Sequence, residues 1–162
     1  MDLELRLDLD DQHTRFMFGL PDLPDPGDYQ SRDTEARRVL IVEDDIDIAR
    51  FVEGILTHDG FDVAIECDGD AGLARIMKDD FDLVVCNFVM PGLQGDEVVQ
   101  RLRVDARTRN LPVVMLTAQA GAARVARAME AGADDYVTKP FDPLEFVAHV
   151  RAALRRRTSN EN

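Results

Sequence analysis

The chain has 162 residues, 45% of them hydrophobic, and a formal net charge of −13, enough apolar material for one domain with a full core plus a tail. Such a charge argues against direct contact with nucleic acid, whose phosphates reward Lys and Arg. No apolar run approaches the ~20 residues of a membrane span, and the acidic amino terminus lacks the basic and apolar regions of a signal peptide, so a cytoplasmic protein with a protein or cationic partner is expected.

Residues 1–37 form an acidic extension in which Pro21, Pro24 and Pro26 cluster, a linker by composition. Two features depart from that. Leu3, Leu5, Leu7 and Leu9 alternate with Glu4, Arg6 and Asp8, the pattern of a half-buried strand, and Phe16-Met17-Phe18 is an apolar knot in polar sequence. The extension is therefore expected to dock, either as a strand on an exposed sheet edge or on an Ala-rich helix farther along. The competing expectation is a disordered tail with accidental spacing.

From residue 38 the pattern becomes regular. Apolar runs at 39–42, 63–65, 83–86, 113–116 and 136–138 predict five strands separated by segments of helical length. Ile48, Val52 and Ile55 share one helical face, with Gly60 as a stop. Leu144, Val147, Val150 and Leu154 do the same after a start at Asp142, Pro143 and Glu145. The helix predicted over 121–133 carries Ala at six positions. Alternation of this kind predicts an α/β fold, a doubly wound parallel sheet with helices on both faces.

The run at 83–86 is apolar without alternation, as a strand buried on both faces must be, and it stops on Asn87 before turning through Met90-Pro91-Gly92. Carboxyl ends of such strands are where ligands bind. Glu43, Asp44 and Asp45 follow the first strand, Thr117 ends the fourth and Lys139 follows the fifth, so all lie on one sheet edge. Clustered carboxylates raise one another's pKa unless a cation is present. Mg²⁺ together with the Lys139 ammonium would compensate them; a solvated acidic loop with Asp45 as a helix cap is the plainer alternative. Cys67 and Cys86 have no metal-ligand spacing and read as reduced core thiols.

VLIVEDD, DLVVCNFVMPG, PVVMLTA and GADDYVTKPF, with the intervals between Asp44, position 87, Thr117 and Lys139, resemble the receiver (CheY-like) domain of two-component response regulators over residues 38–157. The resemblance implies a flavodoxin-like (βα)5 fold. It also implies Asp44 as direct metal ligand, Glu43 as outer-shell acid, the Val89 carbonyl as backbone ligand, Thr117 as the hydroxyl that moves onto a phosphoryl group, Tyr136 as the coupled aromatic switch, Lys139 as phosphoryl partner and a cis Lys139-Pro140 bond. Implied partners are a sensor histidine kinase or phosphotransfer protein and a downstream effector. The resemblance makes a homodimer through the fourth helix, fifth strand and fifth helix one expectation; the alternating Leu residues of the extension offer a second route, by strand addition to another copy. Asp135, Glu145 and Arg156 would serve the first interface, whereas Val125, Ala131 and His149 stand where charges are usual. No output domain is expected after Arg157, and residues 158–162 are expected to be a disordered end.

The departure is central: the family carries its phosphoryl group on Asp, and this chain has Asn87 there. An amide is no anionic nucleophile, and it removes a unit charge from the metal ligands. Glu43, Asp44, Asn87 and Val89 should then form at most a weak Mg²⁺ site, and the chain should act as a phosphorylation-incompetent interaction module, a pseudo-receiver, not an enzyme. The alternative is a functional phosphoacceptor carrying an engineered Asp→Asn change, toward which the otherwise intact site points. A Mg²⁺-dependent phosphohydrolase fits less well, since its acids stand two residues apart on the first strand and here they are adjacent. A flavodoxin lacks support because no phosphate loop follows the first strand.

Overall fold

The computed structural model describes residues 36–118 and 121–160. Residues 1–35 of the extension, and with them the expected docking of Leu3, Leu5, Leu7, Leu9 and the 16–18 knot, lie outside the described residues. Ten elements alternate: β1 (Arg38–Val42), α1 (Ile46–His58), β2 (Asp62–Glu66), α2 (Gly69–Lys78), β3 (Leu83–Cys86), α3 (Gly95–Val104), β4 (Val113–Thr117), α4 (Ala122–Ala131), β5 (Asp135–Thr138) and α5 (Pro143–Asn160). The strands pair in parallel in the order β2-β1-β3-β4-β5, the flavodoxin-like arrangement expected from the sequence.

Strand alternation sorts the apolar residues into two cores. Val39 and Ile41 of β1, Leu83 and Val85 of β3, and Val114 and Leu116 of β4 face α1 and α5, where Val52, Leu56, Phe146 and Val150 are buried. Leu40, Val42, Val84, Cys86, Val113 and Met115 point the other way, onto Ile76 of α2, Val98 and Leu102 of α3 and Ala128 of α4. The three central strands are thus apolar on both faces, which is why their runs show no alternation in sequence.

Local chemistry sets the helix boundaries. Asp45 caps α1, its Oδ1 accepting from the amides of Asp47 (3.0 Å) and Ile48 (3.4 Å). Gly60, at φ 95°, turns the chain out of α1 in a conformation that costs other residues about 1–2 kcal/mol. Asp142 Oδ1 accepts from the Leu144 amide at 2.9 Å and starts α5. That helix continues to Asn160. No Gly or Pro interrupts 155–160.

A correction concerns Cys67, which is exposed rather than core: it follows β2, the sheet's edge strand. Cys86 is buried on β3, and burial, then the charges of Glu43 and Asp96, push its thiol up to about 12. In the native protein iodoacetamide should therefore label Cys67 and spare Cys86, with the second thiol reacting only after denaturation. Peptide mass mapping checks this, and native labelling of Cys86 at a rate comparable to Cys67 would contradict it.

Candidate functional site

The sheet register assembles the site. Val42 pairs with Cys86 and the Asn87 amide donates to the Val42 carbonyl at 2.9 Å, so Glu43 and Asn87 leave adjacent strands side by side. Thr117 pairs with Thr138 and the Lys139 amide donates to the Thr117 carbonyl at 2.9 Å, which delivers Lys139 to the same edge. The Lys139-Pro140 peptide is cis.

Glu43 is the hub. It is 3% exposed. Its Oε2 accepts from Lys139 Nζ at 2.8 Å, and its Oε1 accepts from the Asp45 amide at 3.2 Å and from Asn87 Nδ2 at 3.1 Å. Desolvation raises the Glu43 pKa above the usual carboxylate value, against the opposing pull of Lys139. Asp44, in contrast, is exposed. Asp45 turns away into its cap on α1, so of the three adjacent acids only Glu43 and Asp44 serve the pocket.

Asn87 Nδ2 lies 3.1 Å from Glu43 Oε1, 3.1 Å from Asp44 Oδ1 and 3.1 Å from the Val89 carbonyl oxygen. The opposite amide orientation would set Oδ1 against three acceptors, so the donor-first orientation is the one its partners dictate. All four positions expected to ligate Mg²⁺ are together. As arranged they do not fit a cation, because Asn87 Nδ2, whose two hydrogens are shared among them, lies 3.1 Å from each of the three oxygens a cation would need. No group of three His, Cys, Asp or Glu side chains among the described residues is set to hold a metal.

Thr117 is buried, and its side chain is hydrogen-bonded to the half-buried Tyr136 phenol, whose pKa burial raises. On the neighbouring face the charges expected at a dimer interface are joined within the chain. His149 Nδ1 lies 2.6 Å from Asp135 Oδ2 and its Nε2 lies 3.7 Å from Glu145, while Arg156 approaches Asp135 to 3.7 Å.

Sequence reasoning missed the cluster beside the pocket. Asp96, in the first turn of α3, is buried and pairs with Arg127 of α4 at 3.0 Å; Arg124 and Arg127 both lie over the Phe88 ring, 5.6 Å and 5.7 Å from its centroid. In sequence Asp96 looks like a surface acid favoured by the helix dipole, and nothing local signals that a neighbouring helix covers it.

With this geometry in place, comparison with known proteins assigns the family. The family model for the response regulator receiver domain matches residues 39–151. The chain belongs to the response regulator receiver family. This receiver is 43% identical over 124 residues to the DNA-binding response regulator MtrA of Mycolicibacterium smegmatis, covering 76% of the chain and 53% of that protein. It is 37% identical over 123 residues to the response regulator ArlR of Staphylococcus haemolyticus, covering 76% and 55%. The receiver thus spans about half the length of these relatives. Among solved structures, a putative response regulator from Chloroflexus aurantiacus superposes with a TM-score of 0.73 at 36% identity, over 75% of this chain and 99% of the other. A CheY-like receiver domain from Methanospirillum hungatei gives 0.72 at 26%, over 78% and 99%.

Proposed function

We propose that this receiver is a signalling module that accepts no phosphoryl group and acts through protein contacts, its partners being a sensor histidine kinase or phosphotransfer protein and a downstream effector in the cytoplasm. One observation supports the reading: Asn87, which we take to stand at the acceptor position, has its amide nitrogen 3.1 Å from Glu43, Asp44 and the Val89 carbonyl. Acyl-phosphate formation needs a carboxylate oxygen to attack phosphorus. Asn87 has no such oxygen. Lys139 pairs with Glu43 in this arrangement, and Thr117 and Tyr136 pair with each other. Glu43, Asp44, Asn87 and Val89 amount to a weak Mg²⁺ site at most.

The second reading is a phosphoacceptor receiver altered by Asp→Asn, favoured by the presence of Lys139, Thr117 and both carboxylates on the expected edge. One experiment addresses both. Acetyl phosphate with Mg²⁺ should leave the chain unmodified, and Asn87→Asp should gain a hydroxylamine-labile phosphate detectable by intact mass. Labile phosphate on the unaltered chain would overturn the first reading. Failure of a folded Asn87→Asp variant to label would overturn the second.

A further inference from the structure

We infer that the Asn87 amide is a built-in replacement for a divalent cation, so that the acidic pocket is closed and indifferent to Mg²⁺. The inference rests on reading residue 87 as the former acceptor position, but no phosphodonor enters its test, so the two can fail separately.

A cation in a carboxylate pocket does two things: it supplies positive charge and it saturates oxygen lone pairs. Here both tasks are met from within the chain. Lys139 supplies the unit charge, 2.8 Å from Glu43 Oε2. The polarised NH2 group of Asn87 supplies the rest, placed 3.1 Å from one oxygen of Glu43, one of Asp44 and the Val89 carbonyl. The Asp45 amide adds a further donor to Glu43 Oε1. Among the described residues, the buried side-chain polar atom left without a partner is Asp96 Oδ1, outside this pocket, so no buried oxygen of Glu43 waits for a ligand.

Three oxygens around one small donor group is a cation-like arrangement, and it occupies the centre of the set. For Mg²⁺ to enter, the amide must turn. That withdraws the two N–H donors that the three oxygens share and brings Oδ1 toward two carboxylates before any metal bond compensates them. Asn87 therefore does more than fail to attract the metal; it competes for the metal's ligands. This separates the proposal from simple charge loss. If Asn87 only lacked charge, then Ala, which has no ligand oxygen, would bind Mg²⁺ no better than Asn. If Asn87 is a plug, Ala removes the plug and exposes two carboxylates and a carbonyl.

The test is Mg²⁺ titration, followed by thermal unfolding and by calorimetry, of the full chain and of its Asn87→Ala and Asn87→Asp variants, each starting in EDTA. The unaltered chain should show no saturable rise in unfolding temperature. Asn87→Asp should be less stable in EDTA and regain stability with Mg²⁺. Asn87→Ala should bind Mg²⁺ about tenfold or more tightly than the unaltered chain, the scale of change seen when groups bearing on metal ligands are altered. Should either variant unfold in EDTA, Mn²⁺ broadening of amide resonances in the unaltered chain decides instead. Unchanged signals at residues 43–45 and 87–89 support the plug, and selective broadening there overturns it. A saturable Mg²⁺ response in the unaltered chain, or a folded Asn87→Ala variant that binds no better than it, also overturns it.

Discussion

Arg103→Ala is expected to cost about 3–5 kcal/mol, the range for removing one member of a largely buried ion pair, and to lower the unfolding midpoint by on the order of 10 °C or more. Arg103 leaves the end of α3 and is 16% exposed, as its partner Asp134 is 15%. Its Nη2 donates to Asp134 at 3.0 Å, its Nε to the Gly132 carbonyl at 2.9 Å, and its Nη1 reaches the carbonyls of Leu111 (2.7 Å), Arg109 (3.2 Å) and Thr108 (3.4 Å). One guanidinium thus ties together the turn before β4, the end of α4 and the entry to β5. Asp134 also accepts from the Val113 amide at 2.8 Å, so removing Arg103 leaves a half-buried carboxylate and several carbonyls without their donor.

Arg103→Lys should recover little, since a single ammonium cannot span Gly132 and Asp134 as the planar fork does. Arg107→Ala is the control: that side chain is 69% exposed and pairs with Asp105, and its loss should leave the midpoint nearly unchanged, as for an exposed, solvent-screened pair. Chemical denaturation of the three variants checks the order. Equal midpoints for Arg103→Ala and Arg107→Ala would sink the hub.

Gly95→Ala should cost about 3 kcal/mol, at the upper end for overpacking, and should shift the Asn87 side chain. The Gly95 amide donates to the Phe88 carbonyl at 2.7 Å, holding α3 against the chain just after β3. A Cβ at 95 would run into the Asn87 carbonyl oxygen, and would lie 2.7 Å from Met115 Cε and 2.9 Å from Phe88 Cα. Two of these three atoms are backbone and cannot swing aside. The segment carrying Asn87 must move, and contacts set at 3.1 Å do not survive a displacement of that kind. Gly60→Ala is the comparison, because a Cβ there meets nothing within 4 Å and only the positive φ opposes it, for about 1–2 kcal/mol. Unfolding midpoints and the Asn87 side-chain NH2 resonance read both variants. A Gly95→Ala protein as stable as Gly60→Ala, with that resonance unmoved, would refute the argument.

The strands were legible because their residues obey one strong rule: 83–86 and 113–116 are apolar throughout and can only be buried on both faces. The candidate site was legible for the same reason, since each polar residue that matters ends or follows such a run. What was not legible is made by helix packing. Arg103 and Arg127 are ordinary helix arginines until α3 and α4 meet, and Asp96 is a favourable first-turn acid until α4 covers it. Cys67 misled because it adjoins an apolar run whose edge position only the strand order reveals. The direction of the Asn87 amide could not be read either, because it depends on three acceptors that converge only in the folded sheet.

The Glu43–Lys139 pair joins positions 96 apart in the chain. On the ribosome the acid therefore emerges long before its counter-ion, and domains take shape from the amino end as they are made. Burying Glu43 without an ammonium is costly, and β5, which leads directly into Lys139, is the last of this sheet's five strands in chain order and an outer strand. A nascent chain that has completed β1, β3 and β4 can close its apolar core but not this pocket. The pocket therefore closes later than the apolar core: until β5 is in place, Glu43 lacks the ammonium that compensates its charge.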